Sequence, residues 1–219
     1  MNYIITDFVF LAWMLPAVYL FGSLPTAVWI GRIFHGIDVR EHGSGNAGAT
    51  NVMRVLGVKT GVPVLVLDML KGWFAVMLGN YQQLFIREDE SFMILGIGLG
   101  VVAVLGHIFP VLAGFRGGKG VATIAGVCFA LHPLATVSAL GVFILVLLVW
   151  KYVSLGSMVA GLSFPVWIIS VYGSAHRSLW IFSIVAAILL VVTHRRNIYR
   201  LSRGEENKAT FLYKKQSGQ

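Results

Sequence analysis

The chain is poor in cysteine and in charge, and each shortage excludes something. Of 219 residues one is cysteine, Cys128, so an internal disulfide is impossible; it falls in an apolar stretch where packing is its expected role. Charged residues make up only 12%, hydrophobic ones 57%, and the mean hydropathy is +0.80, values that exclude an ordinary soluble domain and point to an integral membrane protein. Acidic residues are the scarcer sign, 9 against 17 Lys and Arg, giving a formal net charge of +8. With no soluble basic domain to carry it, that excess suits an anionic lipid surface or anionic substrates and argues against nucleic acid. The opening segment has neither a basic leader region nor a small-residue cleavage site, so it reads as a retained span. No convincing internal repeat is present; "GNAGAT" at 45–50 and "GKGVAT" at 118–123 are short enough to coincide by chance.

What is abundant is apolar sequence in runs long enough to cross a bilayer, which takes about 20 residues. The pattern predicts an all-α polytopic membrane protein with seven transmembrane helices, over 8–30, 61–80, 92–112, 121–132, 134–150, 154–173 and 179–193. The seventh depends on His132-Pro133 breaking the run 121–150; one unbroken helix there would leave six spans and put both chain ends on one side. With seven, the loops 31–60, 113–120 and 151–153 and the tail 194–219 share a side that holds 14 of the 17 Lys and Arg. The other side has Arg87, followed by Glu88-Asp89-Glu90, and Arg177. The positive-inside rule then sets the N-terminus outside and the C-terminus in the cytoplasm. Residues 1–219 form a single domain, with 208–219 expected to be a poorly ordered cytoplasmic tail.

Four polar groups interrupt this greasy background, and the topology sends all of them to the cytoplasmic side. In "FRGGKGVAT", Gly117, Gly118 and Gly120 surround Lys119 just before an apolar helix, a pattern that can cradle phosphate on backbone N–H groups and a helix N-terminus. It is not a Walker A loop, which needs glycine at 113 and Ser or Thr at 120, where this chain has Ala113 and Gly120. The bland alternative is a flexible basic loop. In "EHGSGNAGATNVMR" at 41–54, Arg54 can grip phosphate or carboxylate while Ser44, Asn46, Thr50 and Asn51 orient hydroxyls; two or three charge-assisted bonds of roughly 1.5–3 kcal/mol each would hold a small anion. The alternative there is an Asn/Gly turn capping a helix near Asn51. Ser44 lacks the G-x-S-x-G setting of a nucleophile elbow.

Asp68 and Lys71, at i and i+3 inside an apolar run, can pair with each other on one helix face, and Lys71 can lend positive potential to a site. After the last run, His194, Asn197 and Arg200 recur at helical spacing, and Glu205 follows the helix stop Gly204. A positive-inside stop sequence accounts for those arginines but not for His194, Asn197 or Glu205. His107, three residues before Pro110, reads as a hydrogen-bonded packing residue or a base.

Taken together, "SGNAGATNVMR" at 44–54, "DMLKG" at 68–72, "GHIFPVLAGFRGGKGVAT" at 106–123, "KYVSLGS" at 151–157 and "HRRNIYRLSRGEE" at 194–206 resemble, in order, the motifs of the bacterial acyl-phosphate:glycerol-3-phosphate acyltransferase (PlsY) family. The resemblance implies a seven-span enzyme of the bacterial cytoplasmic membrane with its active site on the cytoplasmic side. It would move a fatty acyl group from acyl phosphate to the sn-1 hydroxyl of glycerol 3-phosphate, the first step of phospholipid synthesis, without acyl-CoA, metal or other cofactor. It implies Ser44, Arg54, His194 and Asn197 as activity-critical residues, with Asn46 and Thr50 nearby as substrate contacts, and the loop Gly117, Gly118, Lys119 and Gly120 for substrate phosphate; the residue chemistry adds Asn51 and Lys71 as substrate contacts. Asp68, His107 and Glu205 would be structural. The implied partners are the two substrates, the lipid bilayer and a soluble enzyme that makes acyl phosphate.

Rival activities fit less well. An acyltransferase of the His-x₄-Asp type needs Asp five positions after a His, and His35, His107 and His194 lead instead to Arg40, Leu112 and Tyr199. A CDP-alcohol phosphotransferase needs several Asp in one motif, where Asp68 stands alone. A transporter would carry repeated halves and polar contacts at mid-bilayer.

Overall fold

The computed structural model describes residues 2–79, 90–174 and 176–212, with side chains from residue 12 onward. The tail 213–219 and Arg87-Glu88-Asp89 lie outside the described residues. No strand occurs among the described residues. Among the described residues ten α-helices follow one another: α1 (Asn2–Gly22), α2 (Thr26–His35), α3 (Ala49–Leu56), α4 (Val58–Leu78), α5 (Glu90–Ile108), α6 (Val121–Leu131), α7 (Pro133–Trp150), α8 (Val153–Val166), α9 (Arg177–Thr193) and α10 (Arg195–Ser202).

The breaks have identifiable causes. Pro25, which has no N–H to donate, ends the first run, and α2 leaves α1 at 44°, so the stretch expected as one helix over 8–30 is a bent pair. The break expected at His132-Pro133 is present: Pro133 opens α7, and His132 Nδ1 accepts the Ala135 N–H at 3.2 Å. Beyond Pro165, α8 widens into a π-turn over Trp167–Val171. α10 turns 58° away from α9 at His194.

Four stretches are long and apolar enough to cross a membrane, namely α4, α5 with its extension to Ala113, α7, and α8 with its π-turn; counting each bent pair as one span gives six. α6 has 11 residues, about 16 Å of helix, against a hydrocarbon core of about 30 Å. It packs against α4, α5 and α7, and polar contacts gather near each of its ends. At one end the residues around 119, 151 and 197 meet, through Lys119 with Asn197 and the Ala209 N–H donating to the Lys151 carbonyl at 2.7 Å. At the other, Glu90 binds His176 and Ser178, and His132 lies 5.3 Å from Tyr172, ring to ring.

Lipid replaces water as the solvent for the outer surface. α7 turns Leu134, Val137, Leu140, Ile144, Leu145, Leu148 and Val149 outward, while Ile124, Val127, Cys128, Leu131, Phe164, Ile168, Leu179 and Leu190 form the interior. Because apolar side chains gain little by leaving lipid, helix pairing relies on close backbone approach through small residues. The α4–α6 pair does this reciprocally. A Cβ on Gly72 would fall 2.0 Å from the Thr123 carbonyl oxygen, and one on Gly126 would fall 1.9 Å from that of Met69. α1 and α5 repeat the device with Gly22 against Ala103 and Gly106 against Tyr19.

The contact that seats α6 also sets where Gly120 begins it. Gly126→Ala is therefore expected to force α4 and α6 apart, at a cost of ~1–3 kcal/mol or more. Thermal unfolding in detergent checks this: the midpoint should fall by several degrees, and an unchanged midpoint contradicts the packing described.

Candidate active site

The segment 38–54 folds around Asn51. Its side chain is buried in α3, with Nδ2 donating to the carbonyls of Val39 (2.7 Å) and His42 (3.0 Å) and Oδ1 accepting from Ser44 N (2.8 Å) and Ser44 Oγ (3.1 Å). Both donors and both lone pairs are used, so Asn51, expected as a substrate contact, shapes the loop that presents Ser44 instead. Asn46, on the same loop, and Thr50, in the first turn of α3, are half-buried. Arg54, one turn further along α3, is half-buried too; Phe211 lies 5.9 Å from its guanidinium, and it has no carboxylate in ion-pair contact among the described residues.

The glycine loop differs in detail from a phosphate cradle. The N–H groups of Gly117 and Gly118 donate inward to the carbonyls of Ile108 and His107, both at 3.2 Å, and are not free for an anion. Glycine is required there by space: a Cβ on Gly117 would lie 2.0 Å from the His107 oxygen, and one on Gly118 would lie 2.3 Å from His107 Nε2 and 3.0 Å from the Ala47 oxygen. That last contact packs this loop against the Ser44 loop. Gly120, at φ +79°, turns the chain into α6 and leaves the first N–H groups of that helix without intrahelical partners.

Lys71 is also committed elsewhere. Its ammonium group, on a side chain only 3% exposed, donates to Asp68 (2.7 Å), to the Leu24 carbonyl and to Thr26 Oγ1 (3.2 Å), and Thr26 in turn donates to Asp68. All three protons are taken, so Lys71 pins the α1–α2 break to α4 rather than offering itself to substrate. His107 Nδ1 lies 3.6 Å from Asp68 Oδ1 in the same cluster.

Lys119 points the other way, into a polar cluster at the α9–α10 bend, where its ammonium donates to Asn197 Oδ1. Asn197 Nδ2 donates to Glu206 Oε1 at 2.7 Å, Ser154 Oγ donates to the same oxygen at 2.7 Å, and Arg200 Nε pairs with Glu206 Oε2 at 3.0 Å. Buried His194 donates from Nδ1 to the Leu190 carbonyl at 2.7 Å, so its partner is backbone rather than a carboxylate. Burial draws the Lys119 ammonium down to about 8, with Glu206 opposing and Arg200 and Arg54 reinforcing the shift. Burial lowers Arg54 as well, against the pull of Glu206. Three cations, Arg54, Lys119 and Arg200, thus surround one carboxylate, an excess suited to a phosphate dianion.

The first, third and last motifs therefore converge, while Asp68 and Lys71 serve the helix break. Glu205 is exposed; the neighbouring Glu206 makes the structural contacts expected of it. Glu206 and Ser154 were missed because adjacent glutamates are indistinguishable by type, and Ser154 reads as one more small residue in an apolar run.

Known proteins share this sequence and fold. A family model described as glycerol-3-phosphate acyltransferase matches residues 12–204. The chain belongs to the glycerol-3-phosphate acyltransferase family. Among relatives of this acyltransferase family, the chain is 46% identical to one from Listeria welshimeri over 89% of this chain and 94% of the relative. With one from Chlorobium phaeobacteroides it shares 39% identity over 90% and 96%. It is similar to crystal structures of PlsY, an integral membrane glycerol 3-phosphate acyltransferase, in its glycerol 3-phosphate form (TM-score 0.77, 37% identity, 90% of this chain and 94% of that one). The lysophosphatidic acid form of PlsY gives TM-score 0.76 and 36% identity over 93% and 98%. The PlsY integral membrane fold is thus shared.

Breaking a buried ion pair from one side typically costs ~3–5 kcal/mol. Glu206→Gln is expected to destabilise the protein on that scale, whereas Glu205→Gln should shift stability by no more than about 0.5 kcal/mol. Thermal unfolding of the two variants side by side checks the assignment; equal midpoints would overturn it.

Proposed function

We propose that this chain transfers a fatty acyl group from acyl phosphate to the sn-1 hydroxyl of glycerol 3-phosphate, giving 1-acyl-glycerol 3-phosphate and inorganic phosphate. The observation that carries the reading is the convergence of Arg54 and Lys119, two half-buried cations with hydrogen-bonding capacity to spare, on Glu206, with His194 and Asn197 beside Lys119 and the Ser44 loop packed against the Lys119 loop. Both substrates are phosphates, and the donor's alkyl chain can remain in lipid while its head meets a polar partner at the boundary.

Acyl phosphate is a mixed anhydride with a good leaving group, so orientation and charge stabilisation do most of the work. The sn-1 oxygen attacks the acyl carbon, the bond from that carbon to the phosphate oxygen breaks, and the hydroxyl proton passes to the departing phosphate. Arg54 and Lys119 hold the phosphates and Ser44 orients a hydroxyl. His194, with Nδ1–H on the Leu190 carbonyl, presents Nε2 without the acid partner of a Ser-His-Asp relay. Asn46, Thr50 and Gly120 line the approach.

The same reading sets the chain in the bacterial cytoplasmic membrane with the polar end in the cytoplasm and the N-terminus outside. α6 is the seventh crossing, short because α4, α5 and α7 enclose it in place of lipid; without it the ends around 119 and 151 would not coincide. A soluble enzyme making acyl phosphate would be a natural partner, and the pathway is phospholipid synthesis at its first step.

Purified protein in detergent should release phosphate only when acyl phosphate and glycerol 3-phosphate are both supplied, and acyl-CoA should not replace acyl phosphate. Activity with acyl-CoA alone would overturn the donor assignment. Arg54→Ala should lower turnover at least 100-fold with an unchanged unfolding midpoint. Lys119 supplies a pH test with a definite sign. As pH rises through about 8 its ammonium deprotonates, so the KM for glycerol 3-phosphate should climb in that range, and Lys119→Arg should move the climb to higher pH. A KM flat from pH 7 to 9 would remove Lys119 from phosphate binding.

A further inference from the structure

Outside the cluster described above, the most tightly bonded polar group lies on the segment just before the Ser44 loop. Asp38 accepts from Arg40 Nη2 at 2.7 Å, from Arg40 Nε at 3.0 and 3.2 Å, from the Arg40 backbone N–H at 3.0 Å and from Arg32 Nη2 at 2.8 Å. The two side chains are 8% and 13% exposed, while that of Arg32 is 59% exposed. With Nε and Nη2 held by the carboxylate, Arg40 directs Nη1 across the gap to the carbonyls of Ala113 (2.9 Å) and Arg116 (3.5 Å).

Those carbonyls flank Gly114 and Phe115, at φ +64° and +59°. Phe115 is a bulky side chain in a region that side chains with a Cβ enter at a cost, so this turn needs external support. Immediately after it come Gly117, Gly118 and Lys119. On the other side of Arg40, Asn51 grips the carbonyls of Val39 and His42 and carries Ser44.

We propose that Arg40, oriented by Asp38, is a positioning residue that holds the Ser44 loop and the Lys119 loop at a fixed separation. The inference rests on the acyl transfer proposed above for its functional consequence, though not for its geometry. Neither side chain bonds to Arg54, Lys119, His194 or Asn197 among the contacts described, so Arg40 acts through the turn it holds. The fork geometry matters: a lysine keeps the charge but cannot bind both carboxylate oxygens and reach two carbonyls from one planar group. The carboxylate is also held well below the usual range, chiefly by the Arg40 side chain, so the latch stays ionised around neutral pH.

The test compares Arg40→Ala, Arg40→Lys and Asp38→Asn with wild type by deuterium exchange and by kinetics. Exchange should rise in residues 113–120 and stay at the wild-type level in α7 and α9. The kcat/KM for glycerol 3-phosphate should fall at least tenfold in Arg40→Ala and nearly as far in Arg40→Lys. Adding Arg40→Ala to Lys119→Ala should cost less than a further twofold, because the loop it positions has already lost its cation. Wild-type exchange in 113–120 in all three variants would overturn the proposal, as would additive kinetic losses or protection lost uniformly through every helix. If wild type itself turned over neither substrate, the functional reading would fail, while the exchange data would still decide the latch.

Discussion

Three parts of the chain meet at the Glu206 carboxylate. Ser154 at the start of α8, Asn197 and Arg200 on α10 and, through Asn197, Lys119 ahead of α6 all depend on that one group for their arrangement. A carboxylate so enclosed is tolerable only because it is paired and hydrogen-bonded, and cations crowded this closely are tolerable only because it is present. It neutralises part of the surrounding positive charge and leaves the rest. In the proposed reaction that remainder is what meets the substrate phosphates, Arg54 and Lys119 having bonding capacity to spare.

The rest of the bundle keeps this polar end in register without help from the hydrophobic effect, which is weak between helices in lipid. Backbone contact through Gly72 and Gly126 fixes α6 on α4, and the buried Asp68–Lys71 pair fixes the α1–α2 break on the same helix. α4 is thus the reference element. One face receives the helix that begins at Gly120, and one end follows directly on α3, which carries Arg54. A shift of α6 along α4 would move Lys119 relative to Arg54, so packing and phosphate geometry are one problem here.

Glycine serves two distinct purposes in the third motif. At Gly120 it permits a left-handed turn that starts a helix, while at Gly117 and Gly118 it permits backbone to lie directly on His107 and Ala47. The inward hydrogen bonds of those two residues mean that rigidity, not a row of free donors, is what the loop offers. A rigid loop carrying one lysine is a more selective device than a flexible basic one, since the cation is held at a fixed place relative to its neighbours.

By itself the sequence determined that this is an all-helical membrane protein and that a break falls at His132-Pro133, and it sent four polar groups to one side, of which the structure brings three together. Those features follow from hydropathy, proline chemistry and charge placement, all of which are local or depend on counting. The motif resemblance also named the family that the comparisons show. Only the tertiary structure decided which polar side chains are spoken for. Asn51 and Lys71 are the right residue types to bind a phosphate ester, yet each has spent its hydrogen-bonding capacity on carbonyls distant in the chain and on a serine or an aspartate within two turns of it. Glu206 rather than Glu205 holds the cluster for the same reason: a residue's type gives its capacity, and the fold alone settles which partners consume it.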